Sequence, residues 1–182
     1  SINSSLPVGH AKDGSYFNTH YNYGLANPML FGAGSVVSTG SDMLLWLELH
    51  MGQGSDTWKS MLKQQQAKTW QRTPCPKPPP QSAGDTASGP VVSLGWFHTK
   101  IPLDAGGSAT VLWKDGGHSG FTSWMGFENW IDGKDPSGTG CFVLTNSHGA
   151  PALGMEIISL LLGNSNPVVS TEAAHEVEPE AD

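Results

Sequence analysis

The stretch from Val111 to Phe127 constrains this chain more than any other. An apolar run, Val111 to Trp113, enters a glycine-rich turn, Lys114-Asp115-Gly116-Gly117-His118-Ser119-Gly120, and a second apolar run leaves it through Phe121, Trp124 and Phe127. Lysine, aspartate and histidine fall close together in that turn. Two apolar runs around glycines predict a β-hairpin, and chargeable side chains at its turn end predict a working surface rather than a plain reversal.

The rest of the chain is organised around this hairpin. Residues 1–35 carry Gly9, Gly14, Gly24, Pro28, Gly32 and Gly34 among tyrosines and read as a covering loop on a larger body. Ser38 or Thr39 caps a helix, with Asp42 at the positive end of its dipole. Met43, Leu44, Trp46, Leu47 and Met51 give it one broad apolar face, and Gly52 and Gly54 stop it. A shorter helix runs from Asp56 to about Gln66 with Trp58, Met61 and Leu62 apolar. Residues 72–90 are a proline-rich surface excursion. Four strands follow: Val91–His98, Ala109–Trp113, Phe121–Trp130 and Gly140–Asn146, the last two joined by a hairpin turn through Asp132 and Gly138. Pro151 opens a last, strongly apolar helix that needs cover nearly all round, and Gly163 ends it. Residues 163–182 form an acidic tail with a disordered composition.

Helices, then a strand meander, then a helix is an α+β order: an antiparallel sheet covered by helices, built mainly from residues 36–162. One terminal helix covers one face of such a sheet. Yet alternation in Phe121–Trp130 is weak and Cys141 to Leu144 is apolar throughout, so both faces ask for burial and a part of the fold is expected from elsewhere.

Charge excludes one function class. The net charge is −7 with 9 Lys+Arg and no basic cluster, which leaves nucleic acid without an electrostatic footing. No apolar run reaches the roughly 18–20 residues of a membrane span. Residue 1 already stands in polar sequence without a signal-peptide pattern, which fits a processed or truncated chain. His10, His20, His50, His98, His118, His148 and His175 are scattered without ligand spacing, so no metal site is expected. Cys141, in an apolar run, reads as a small hydrophobe, and its pairing with Cys75 stays open.

Four motifs, in order, carry a resemblance. Gly32-Ala33-Gly34 with Ser38-Thr39 and Asp42-Met43 is similar to a helix entry of the form A-G-G-x-x-S-T-x-x-D. Leu94-Gly95-Trp96 is similar to a G-L-G-W strand, and Lys114-Asp115-Gly116 to a lysine-threonine-glycine box with Gly120-Phe121 as its continuation. Phe142-Val143-Leu144-Thr145-Asn146 is similar to a last sheet strand leading into a terminal helix. Together they resemble the C-terminal half of the serine β-lactamase / penicillin-binding-protein superfamily, in its class C and esterase-like branch.

That resemblance implies a β-lactamase/transpeptidase-like fold and acyl transfer through a serine, on a β-lactam, peptide amide or ester. It implies no cofactor, a small-molecule or peptide substrate, and a periplasmic or secreted setting, with a cytoplasmic one left open. The nucleophile motif S-x-x-K and the Y-x-N motif belong to the family's N-terminal half, the implied partner of this chain. Ser60 and Lys63 fit S-x-x-K on paper, and Tyr16 and Asn18 fit Y-x-N, but their order is reversed and they read as solvated polar residues.

Within the resemblance, Lys114 places a positive charge beside the serine, Gly117 offers an oxyanion-hole N–H, and His118 is a candidate acid/base group, with a locally bonded turn histidine as the alternative. Asp115, Gly116 and Ser119 are the substrate-binding candidates. Gly116 lets substrate lie flat on the strand, whereas Asp115 replaces a hydroxyl residue and repels a substrate carboxylate, unless it pairs with Lys114. Two other readings stand: a non-catalytic binding module, and a self-cleaved hydrolase using Ser1.

Overall fold

The computed structural model describes residues 8–16, 36, 38–67, 70–71, 91–118, 120–131 and 138–165. Helix α1 (Gly40–His50) begins where the capping chemistry demands: the Thr39 hydroxyl accepts the Asp42 amide at 3.2 Å and donates to the Asp42 carboxylate at 2.9 Å. Helix α2 (Asp56–Gln66) is capped by Ser55. Six strands follow: β1 (Trp70–Gln71), β2 (Val91–Val92), β3 (Phe97–Pro102), β4 (Ser108–His118), β5 (Phe121–Glu128) and β6 (Gly140–Thr145). Helix α3 (Ala150–Leu161) closes the order, with Pro151 in its first turn and Gly163 beyond its end at φ +88°.

The strands form one antiparallel sheet in sequence order, β1 to β6. The α+β class and the helix-covered antiparallel sheet therefore hold. Two details depart from the sequence reading. Val91–His98 is two strands, because the chain turns at Ser93–Trp96, where the Ser93 amide donates to the Trp96 carbonyl at 2.9 Å and Gly95 takes φ +86°. The segment Lys114 to His118 is not a turn but the last part of β4, and the chain reverses before Phe121, with Gly120 at φ +82°. The chain is also held just past α3: the Asp104 amide donates to the Gly163 carbonyl and the Ser165 amide to the Asp104 carboxylate, at 3.1 and 2.9 Å, so the β3–β4 turn anchors it as far as Ser165.

Both sheet faces are covered within the described residues. Leu112, Met125 and Phe127 pack with Leu47, Leu62 and Trp96 on the α1/α2 side. Val111, Trp124 and Val143 pack with Ala150, Met155 and Ile158 on the α3 side. Two-sided burial explains why β5 alternates weakly: Trp124, Met125, Gly126 and Phe127 are buried in succession. Each large apolar side chain so buried contributes roughly 1.5–3 kcal/mol. The helices themselves are not enclosed. Leu44, Leu45 and Trp46 on α1, Trp58 and Met61 on α2, and Leu153, Leu160 and Leu161 on α3 are about half exposed, contrary to the near-complete cover expected for α3. No described helix is long and apolar enough to cross a membrane.

Candidate functional site

The β3–β4 ladder ends at Phe97 opposite Trp113, whereas the β4–β5 ladder continues to His118 opposite Phe121. Residues 114–118 are thus paired on one side only among the described residues. Which backbone groups face the open side follows from alternation. The Asn129 amide donates to the Thr110 carbonyl at 2.7 Å, so Thr110 turns its polar groups toward β5. In an antiparallel ladder every second residue does the same, which assigns Lys114, Gly116 and His118 to β5. Asp115 and Gly117 turn their N–H and C=O groups outward, to the side that β3 has left.

The Lys114 ammonium lies at this edge. It donates to the Asp115 carbonyl at 2.8 Å and to the Asp115 carboxylate at 2.9 Å, and it lies 5.4 Å from the centre of the Phe97 ring. The alternative in which Asp115 pairs with Lys114 is the one observed. Gly116 faces Ser123: a Cβ there would come within 2.9 Å of the Ser123 hydroxyl. Gly117 has room for a Cβ, whose nearest neighbour would be a Thr122 methyl at 3.8 Å. A cleft of about 270 Å³ opens where β3 departs, between Gly95, Trp96, Lys114 and Asp115 on the strand side and Trp46 and Met43 on α1.

The turn end is secured by a hydroxyl the sequence did not single out. Thr122, opposite Gly117, donates to the Ser147 carbonyl at 2.7 Å, accepts the Ala150 amide at 3.2 Å and lies 2.9 Å from the Thr145 hydroxyl. It joins β5, the end of β6 and the start of α3 beside the open edge. Replacing it by valine, of similar shape, is expected to cost about 1–2 kcal/mol, since part-buried partners lose their bonds. Urea melts of the wild type and Thr122→Val measure this directly. Residues 8–16 clip the same end: the His10 amide donates to the carbonyls of Asn146 and Gly120 at 2.9 and 3.2 Å, and the Asn146 side chain donates to the Val8 carbonyl at 2.9 Å.

Comparison with protein-family models, curated proteins and solved structures finds no match. The site therefore rests on its own geometry. That geometry brings Lys114, Asp115, Gly116 and Gly117 onto one strand end. His118 lies on the same strand, and Ser119 lies outside the described residues, as do Asn18 and Ser1. Ser60 and Lys63 are exposed on α2, with the Lys63 ammonium 5.9 Å from the Trp130 ring, and Tyr16 is exposed. His148 is exposed after β6. No cluster of metal-ligating groups forms among the described residues. Cys141 is a free, partly buried thiol whose pKa burial pushes up to about 11, which makes it a poor nucleophile. Cys75 lies outside the described residues.

Proposed function

We propose that this chain forms one wall of a serine acyl-transferase or hydrolase of the β-lactamase/transpeptidase type. The observation that carries this reading is the edge of β4 beyond Trp113, open among the described residues, where Asp115 and Gly117 turn backbone groups outward beside the Lys114 ammonium. In this reading a serine hydroxyl, from a segment carrying S-x-x-K and Y-x-N outside residues 1–182, attacks the substrate carbonyl. Its proton passes to that segment's base and then to the departing alcohol or amine. The C–O or C–N bond breaks, leaving an ester that water hydrolyses.

The Gly117 N–H donates to the oxyanion, a contribution of about 3 kcal/mol in comparable sites. Lys114 stabilises the anionic form of the attacking group, and Gly116 leaves the strand flat for the acyl chain. In this reading His118 is the acid/base candidate and Ser119 a substrate-binding residue. A second reading, a non-catalytic binding module, draws on one observation: the Lys114 amine is already held by Asp115.

A fluorophosphonate probe separates the two. The hydrolase reading expects serine labelling when the chain is combined with the polypeptide that precedes it, and ester turnover that falls on the order of 10- to 100-fold in Lys114→Met. A folded complex with no adduct on any polypeptide supports the binding module. Turnover by residues 1–182 alone that survives Ser60→Ala sinks the assignment of the nucleophile to another segment.

A further inference from the structure

Beside the open part of β4 lies a hydroxyl without a strong partner. Ser123 stands opposite Gly116 in the β4–β5 ladder, so both look out from the same face of the sheet. Alternation identifies that face: Leu112 and Met125 pack toward α1 and α2, and Gly116 and Ser123 follow them along their strands at even spacing. Ser123 accordingly lines the cleft that Met43, Trp46, Trp96 and Met125 wall with apolar surface. Its hydroxyl donates to the Gly116 carbonyl at 3.5 Å, beyond the usual range for a hydroxyl donor, and it has no other hydrogen bond among the described residues. Gly116 keeps this hydroxyl uncovered, since a Cβ at 116 would stand 2.9 Å from it. Trp96, another lining residue, carries a buried indole N–H that also has no partner among the described residues. Both groups are donors, so the cleft favours a ligand atom that accepts. Covering the Ser123 hydroxyl with plain hydrocarbon removes its water and returns nothing, whereas a ligand oxygen restores the bond. The spacing suits an acyl chain. Neighbouring strands lie about 4.8 Å apart, so a chain that has its carbonyl at the Gly117 N–H and lies over Gly116 brings roughly its fourth carbon to Ser123.

We infer that Ser123 is a substrate-binding residue: its hydroxyl donates to a carbonyl oxygen carried on the acyl chain about three bonds from the scissile carbon, and the site prefers such acyl groups to hydrocarbon ones of equal length. This inference rests on the hydrolase reading and names part of its substrate class. Ser123 acts here on specificity, because its bond is made to the acyl chain and not to the reacting atoms.

The test uses a matched pair of substrates, 4-nitrophenyl pentanoate and 4-nitrophenyl 4-oxopentanoate, whose acyl groups have equal length and differ by one ketone oxygen. Each rate is divided by that ester's rate with hydroxide, which removes the difference in intrinsic reactivity. With the chain and its preceding polypeptide together, the keto ester is expected to be preferred by roughly tenfold in corrected kcat/KM, and the preference to shrink to within about twofold of unity in Ser123→Ala. A purely structural role for Ser123 would slow both esters alike and leave their ratio in place. The wild-type ratio needs no variant, so it tests the inference even where a substituted chain folds poorly. A wild-type ratio near unity, or a preference that survives Ser123→Ala, overturns the role of Ser123 while leaving the hydrolase reading intact. Turnover of neither ester by a complex that does take the fluorophosphonate overturns this inference alone. Failure of both esters together with no fluorophosphonate adduct overturns the hydrolase reading and this inference with it.

Discussion

Gly154→Ala is expected to lower the melting temperature by roughly 6–12 °C, corresponding to about 3 kcal/mol. On helix propensity alone the sign would be opposite, since alanine in place of a helical glycine gains about 1 kcal/mol. Packing decides. Gly154 lies on the buried side of α3, flat against the Trp124 indole, and a Cβ there would approach Cγ of that ring to 2.8 Å and two further ring carbons more closely still. The indole cannot retreat. It is 1% exposed, and on its far side Gly126 leaves equally little room, with Cζ2 of Trp124 only 2.6 Å from the place a Cβ would take. Trp113 stacks at 6.5 Å on the same face. Two glycines are therefore the mould for one tryptophan. Calorimetry on Gly154→Ala, with Leu153→Ala as an exposed neighbour, checks this: a rise in melting temperature for Gly154→Ala would show that α3 does not rest on Trp124.

Acidification is expected to remove up to about 3 kcal/mol of stability through His50 alone. His50 is buried at the end of α1 between the rings of Trp46 and Trp96, with centroids at 4.6 and 4.9 Å. Its tautomer follows from its neighbours. The His50 carbonyl can only accept, and it takes the Gln66 amide nitrogen at 3.0 Å and the Trp130 indole N–H at 2.8 Å. That same Gln66 nitrogen stands 3.4 Å from Nδ1, so Nδ1 is the unprotonated acceptor and Nε2 carries the hydrogen. Nε2 has no hydrogen-bonding partner among the described residues, and the aromatic faces around it are the acceptors at hand.

Burial lowers the pKa of this imidazole from 6.5 to about 4. The unfolded chain takes up the proton at the higher value. The stabilisation is thus complete above about pH 6.5, declines as the pH falls through that value, and is exhausted near pH 4. Urea midpoints of the wild type and of His50→Gln across pH 4 to 7 isolate the effect. The wild type should lose stability more steeply than the variant in that window, and parallel curves would refute the assignment.

Much of this architecture was legible in the residues. Thr39 and Asp42, Pro151 and Gly163 mark helix ends through local chemistry, so α1 and α3 were placed correctly. The antiparallel meander followed from apolar runs separated by turn residues. What escaped was decided by contacts distant in sequence. Nothing local in Lys114-Asp115-Gly116-Gly117 distinguishes a turn from an extended strand, since glycine suits both, and it is pairing with Ser123 and Thr122 that holds them extended. The second face of the sheet was read as uncovered because α1 and α2 precede the meander by a long excursion. Their packing through Leu47 and Leu62 cannot be seen from periodicity.

The candidate site was legible in its residue types, but not in its pairing. Sequence left open whether Asp115 holds Lys114, and the 2.9 Å contact depends on the place where β3 stops. Thr122 gave no signal at all, because a threonine in a strand is ordinary and its role arises only where β5, β6 and α3 meet.

The clip formed by residues 8–16 has a consequence for the order of folding. Strands β3 to β6 pair only with sequence neighbours, so their ladders close short loops and can form early. The bond from the Asn146 side chain to the Val8 carbonyl joins residues 138 positions apart. A closure of that span is entropically the costliest of the bonds described and gains nothing until the β5–β6 end exists to receive it. The clip is accordingly the last piece to settle and the first to open. Hydrogen exchange at the His10 amide should be fast compared with that at Leu112, so the clip settles over a β4–β5 turn end that has already paired.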